Sequence, residues 1–133
     1  MGIEVYWDDD EHRIMRHVYT DPWTAKDVYS ALTYMHELLD AINHQVQLII
    51  DVRQSQSVPP GILRAVRQVL YKHHPNQGTA YIVGANTIML STYRVLRYLY
   101  PPITKSYRFA NTLDEAYALI LEELQQQTKD KKR

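Results

Sequence analysis

The sequence predicts an α/β domain: a mainly parallel five-stranded sheet with an antiparallel N-terminal edge and four helices. Three observations carry the prediction. Two alternating segments at the start read as a hairpin, the later apolar runs are short and rich in β-branched residues, and each later run is separated from the next by one amphipathic helical stretch. The resulting order, β-β-α-β-α-β-α-β-α, calls for right-handed crossovers that place helices on the faces of the sheet. A chain of 133 residues suffices for one such domain, expected over residues 1–128, with 129–133 a polar tail.

Ile3, Val5 and Trp7 alternate with Glu4 and Tyr6, and after the acidic turn Asp8 to His12 the alternation resumes through Ile14, Arg16 and Val18. Asp21-Pro22 ends the extended run. Thr24 is a good N-cap, and Asp27 in the first turn complements the helix dipole. Val28, Leu32, Met35, Leu39 and Ile42 then mark a helix expected to end near Asn43. Val46 to Val52 reads as a strand covered on both faces. Beyond the loop Ser57-Val58-Pro59-Pro60-Gly61, a second helix places Leu63, Val66, Leu70 and His73 on one face and Arg64, Arg67 and Tyr71 on another, stopped by Pro75-Asn76-Gln77-Gly78. Thr79 to Gly84 is the next strand. Asn86 or Thr87 caps a third helix, Ile88 to Tyr100, closed by Pro101-Pro102. Ser106 to Ala110 makes the last strand, and Thr112 with Glu115 forms a capping box for a helix from Leu113 to about Gln127.

Element order, together with three segments, resembles the STAS domains of bacterial anti-sigma-factor antagonists, and more closely their SpoIIAA-like branch. The segments are Gln47-Leu48-Ile49-Ile50-Asp51-Val52 before a loop and helix, Ala80-Tyr81-Ile82-Val83-Gly84 before a helix, and Phe109-Ala110-Asn111-Thr112-Leu113-Asp114-Glu115-Ala116. The resemblance implies a non-enzymatic regulatory domain that presents the loop Arg53 to Gly61 and the second helix to a protein partner in the bacterial cytoplasm. In the antagonists a serine or threonine at the start of the helix after this loop accepts phosphate from a partner kinase. Here Pro59-Pro60-Gly61 occupies that place, so the family's phosphoacceptor motif is missing. Ser55 and Ser57, just upstream and near Arg53 and Arg64, are the remaining candidate phosphoacceptors.

Charge divides the chain unevenly. The formal net charge is zero, which argues against a generic polyanion binder and any specific nucleic-acid site. Yet Met1 to Asp51 carries a net −7, and Val52 to Leu113 a net +8 with no acidic residue at all. That distribution supports an alternative function, a small-ligand or anion binder for phosphate, nucleotide or lipid using basic helix faces, with Arg53, Arg64, Arg67, Lys72, Arg94 and Arg97 as candidate contacts. It also suits self-association, the acidic first third of one copy meeting the basic segment of another in a homodimer. The third helix carries a second apolar face through Met89, Tyr93, Leu96 and Tyr100, which suits either a core helix or an exposed interface rimmed by Arg94, Arg97 and Tyr98, so Tyr93, Tyr98 and Tyr100 are candidate interface residues.

Chemistry is sparse otherwise. The absence of cysteine removes disulfides, thiolate metal sites and cysteine nucleophiles. His36-Glu37-Leu38-Leu39-Asp40 has the start of a zinc helix, but Asp40 stands where a second histidine is needed. Asp8 to Glu11 lacks calcium-loop spacing and reads as a solvated turn. Met1-Gly2 with Tyr6 does not fit a myristoylation signal. No phosphate-binding glycine motif, nucleophile elbow, cofactor or metal site is expected, and no membrane insertion.

Overall fold

The structure, a computed structural model, describes residues 2–101 and 103–131. Its elements are β1 (Gly2–Trp7), β2 (Ile14–Thr20), α1 (Ala25–Asp40), β3 (Val46–Gln54), α2 (Ile62–Tyr71), β4 (Gln77–Val83), α3 (Thr87–Leu99), α4 (Ile103–Ser106), β5 (Tyr107–Ala110) and α5 (Leu113–Lys131). The five strands form one sheet in the order β1-β2-β3-β4-β5. β1 pairs antiparallel with β2, and every other pairing is parallel. The predicted α/β class and mixed sheet are therefore observed, with the one-turn α4 as an addition.

Sequential strand order has a direct consequence. Crossovers of one hand, made in one direction along a sheet, all fall on the same side. Leu32, Met35 and Leu39 of α1 pack on Met15, Val46, Leu48 and Ala80, and α2 and α3 lie over this same face, where Val66 and Leu96 approach Ile50 and Ile82. The opposite face belongs to α5, whose Ala116 and Ile120 bury Ile49, Tyr81, Val83 and Ala110.

The local signals operate as their chemistry requires. Thr24 accepts the Asp27 N–H at 3.2 Å while the Asp27 carboxylate accepts the Thr24 N–H at 2.8 Å, a complete capping box. At α3 the Asn86 side chain accepts the Met89 N–H at 3.0 Å. At α5 Thr112 accepts the Glu115 N–H, and the Glu115 carboxylate reaches back to the Asn111 N–H, each at 3.1 Å. α1 stops at Asp40 rather than near Asn43 because the Asn76 side-chain amide donates to the carbonyls of Leu39 (3.2 Å) and Ile42 (3.1 Å), ending the helix from across the fold. α2 stops at Tyr71, which frees His74 to turn inward. α5 runs four residues past the expected end and takes in three of the five tail residues; Lys132 and Arg133 lie outside the described residues.

The acidic turn is less solvated than its composition suggested. Asp9 Oδ1 accepts the N–H groups of Arg13 and Ile14, both at 2.9 Å. Asp8 turns in to pair with Arg16 at 3.2 Å and to accept the Tyr117 hydroxyl.

Gly84, where β4 ends, is required by geometry. Its φ is +79°, and a Cβ would sit 2.4 Å from Arg53 Cγ and 3.2 Å from Arg53 Cα. Arg53 cannot give way cheaply, because its guanidinium holds Asp51 at 2.8 and 2.9 Å. Gly84→Ala should lower stability by about 2–3 kcal/mol, read as a reduced midpoint in urea with an unchanged slope.

Candidate ligand site

Between the sheet and its three crossover helices lies a cavity of about 180 Å³. Register builds its floor: His17, Ile50, Ile82 and Phe109 are paired in one row across β2 to β5, and Met15, Leu48, Ala80 and Tyr107 in the adjacent row. Alternation sends all of these side chains to the crossover face. α1 lines one wall with Val28, Ala31, Leu32 and Met35, α2 another with Ile62, Val66 and Val69, and α3 the third with Met89, Thr92, Tyr93 and Leu96. α2 packs against α1, whereas α2 and α3 barely touch. The space remains because these two helices stand apart over the short β-branched side chains of the central strands.

Few polar groups enter this apolar chamber, and burial keeps them neutral. His17 is 6% exposed, and its Nε2 has no hydrogen-bond partner among the described residues. Desolvation lowers its pKa to about 4, so the imidazole is uncharged at neutral pH. Burial raises the Tyr19 phenol, reinforced by neighbouring Tyr107. Burial also pushes the Tyr107 phenol up to about 12, opposed by a hydrogen bond from Gln77. The His17 imidazole, the phenols of Tyr19, Tyr93 and Tyr107, the Thr92 hydroxyl and the Gln77 amide can donate and accept hydrogen bonds, and no Lys, Arg, Asp or Glu stands among the described lining residues.

One end of the cavity is closed by a buried polar junction. Trp23, set edge-on to Tyr19 with ring centroids 4.9 Å apart, donates its indole N–H to Ser55 Oγ at 2.7 Å. Ser55 Oγ donates to Asp21 at 3.1 Å, and the same carboxylate accepts the Gln56 N–H at 2.7 Å. This junction fixes the loop that carries Val58 and Ile62 over the cavity. Ser55, a candidate phosphoacceptor by sequence, is thus 3% exposed; phosphate could be added only after Trp23 and Asp21 released the hydroxyl. Ser57 is exposed.

The basic residues do not gather in the cavity. Arg53 is taken up by Asp51, which is 2% exposed. Burial alone would raise the Asp51 pKa, but the Arg53 hydrogen bonds outweigh it and hold the carboxylate below its usual range. Arg64, Arg67, Lys72, Arg94 and Arg97 are exposed on α2, α3 and the turn after α2. Arg67 lies over the Tyr71 ring at 5.6 Å, and Arg97 shares a depression beside β5 with another arginine, Arg108. Of the interface tyrosines, Tyr93 turns inward to the cavity and packs edge-on to Phe109 at 4.5 Å, Tyr98 is 85% exposed and Tyr100 is half-buried.

His36 and Asp40 do not stand free on α1. His36 meets the His74 ring edge-on at 5.2 Å, and Asp40 lies 2.7 Å from His74 Nε2. Because His74 Nδ1 accepts the Asn76 N–H, Nε2 carries the proton and donates to Asp40. Among the described residues no group of three potential metal ligands converges.

Sequence reasoning missed His17, Tyr19, Gln77 and Tyr107 as site residues. A signal existed: His17 shares alternation phase with Met15 on the apolar side of β2, where an imidazole needs a reason. It also missed the cluster under α5 in which Arg16 donates to Tyr117 at 2.5 Å and pairs with Asp8. The chain matches no model of a known protein family, and no curated protein matches it.

Proposed function

We propose that this chain is a non-enzymatic binding domain for a small, predominantly apolar ligand carrying one uncharged hydrogen-bonding group. The supporting observation is the cavity, and within it the buried imidazole of His17 with an unused nitrogen. An apolar cavity of comparable size in a protein interior can take up a small aromatic molecule, and a buried polar atom without a partner gains a hydrogen bond from a ligand hydroxyl or carbonyl. The lipid branch of the ligand-binding expectation fits this lining; phosphate and nucleotide do not, because no Lys or Arg among the described residues lines the cavity.

Short alkanols compared with alkanes of equal length test the reading. At saturating alcohol the melting temperature should rise by on the order of 10 °C, as for any ligand that prefers the native state. The alkane should do less, and His17→Phe should erase the difference. Val66→Phe, which places a ring in the cavity, should abolish the response to both. An unchanged melting temperature with every apolar probe would overturn the reading.

A second reading, a partner-presenting domain of the antagonist type, rests on the loop from Arg53 to Gly61. Its Gln56, Ser57 and Pro60 are exposed beside exposed Leu63 and Arg64. Phosphate on Ser57 in protein purified from its host would support it.

A further inference from the structure

α2 and α3 stand apart over the cavity, and their facing flanks are unusual. On α2, Ile62, Val66 and Val69 face the cavity, while Ala65 is buried toward α1 against Trp23 and Val28. Each residue turns a helix by about 100°, so Leu63 and Arg67 occupy the opposite flank, toward α3. On α3, Tyr93 and Arg97 border the depression beside β5. Ile88, Val95 and Leu99 therefore lie on the flank toward α2. Leu63, Ile88, Val95 and Leu99 are all between 42% and 57% exposed, and Ile88, Val95 and Leu99 share one flank of α3 with Thr92 between the first two.

Cations border these apolar residues on the outer side of the two helices. Arg64 and Arg67 on α2 and Arg94 on α3 are exposed, while Arg97 belongs to the β5 flank, and no Asp or Glu occurs anywhere from Val52 to Leu113. Ordinary solvated surfaces mix both signs. Apolar side chains bordered by cations alone are instead the composition of an interfacial helix on an anionic bilayer, where apolar groups enter the headgroup boundary and Arg stems snorkel to phosphate. Charge also argues against a second copy on this face, since two such surfaces brought together by a two-fold axis would oppose arginine to arginine. Among the described residues no helix is long and apolar enough to cross a membrane, so contact would be peripheral.

We propose that the α2–α3 surface docks on membranes bearing anionic lipid headgroups, with the gap between the two helices, over the cavity, turned to the bilayer. The inference builds on the cavity reading in that the apolar ligand would then enter from the lipid, but docking itself requires no ligand. The test is cosedimentation of the full chain with phosphatidylcholine vesicles, with and without phosphatidylglycerol. Binding should require the anionic lipid and weaken as salt rises. Arg64→Glu with Arg94→Glu, and separately Val95→Asp with Leu99→Asp, should each lower the partition coefficient by about tenfold or more. All four side chains are exposed, so melting temperatures should hold, and circular dichroism checks this.

Val66→Phe separates the two ideas. Vesicle binding that survives this variant while wild-type protein takes up no alkanol would overturn the cavity reading and leave docking intact. Equal binding to neutral and anionic vesicles, no binding to either, or surface variants that bind like wild type would overturn docking. So would a solution dimer abolished by the same substitutions, because the surface would then be covered by a second copy.

Discussion

Between pH 7 and pH 4 the fold should lose about 3 kcal/mol of stability through a single side chain, His17. The native imidazole titrates at about 4 because it is desolvated in the cavity floor, whereas an unfolded histidine titrates near 6.5. Above the unfolded value both states are neutral and the contribution is complete. As pH falls below it the unfolded state gains a proton that the native state refuses, so stability declines. The decline ends near the native pKa, below which both states are protonated. Urea unfolding across this range, with His17→Phe beside wild type, isolates the effect from that of the carboxylates, because the wild-type curve should fall more steeply by about 3 kcal/mol in total. Parallel curves would show that His17 is hydrated or partnered in the native state. A ligand that hydrogen-bonds the neutral ring should steepen the dependence further.

Trp23→Ala is expected to be the most disruptive single substitution at the site, at about 4 kcal/mol, or on the order of 15 °C in melting temperature. Two losses combine. The indole is 8% exposed and packs with Val28 and Ala65, so truncation leaves a void continuous with the cavity. Its N–H is also the donor that Ser55 Oγ accepts in the buried junction with Asp21. Trp23→Phe keeps most of the apolar area and removes the donor, so about 1–2 kcal/mol should remain as the cost of the hydrogen bond. Limited proteolysis adds a readout specific to the junction: both variants should expose the segment from Gln56 to Gly61 to cleavage, because Asp21 and Ser55 fix its start. Equal losses in the two variants would mean that packing contributes nothing beyond the bond.

Element type was legible wherever local chemistry decides it. Thr24 with Asp27, Asn86, and Thr112 with Glu115 all mark helix starts by sequence and do so in space. Helix ends set by distant groups were not legible: α1 stops where Asn76, 34 residues from Ile42, donates to the carbonyls of Leu39 and Ile42. The same distinction governs the site. Arg53 and Asp51 stand two apart on β3, hence on one face of the sheet, and their pairing was within reach of simple alternation; it removes Arg53 from the anion contacts that its charge suggested. The cavity was beyond such reach. It exists because α2 and α3 diverge over Ile50 and Ile82, and periodicity describes which face of a helix is apolar but not how far apart two helices stand. For that reason the second apolar face of α3 was legible as core or interface, while the chamber that it lines was not.

Strand order and the placement of α5 also bear on how the chain is completed during synthesis. Each parallel strand pairs with the one made just before it, so the side bearing α1, α2 and α3 can close progressively as successive units leave the ribosome. The side carrying Ile49, Tyr81 and Val83 cannot, since its cover is α5, which follows every strand in the chain. Until that helix emerges the nascent sheet presents a naked apolar surface, and Asp8 and Arg16 wait for Tyr117, 109 residues after Asp8. The helix on the face of the sheet opposite the cavity is thus the one on which escape from aggregation in the cell depends.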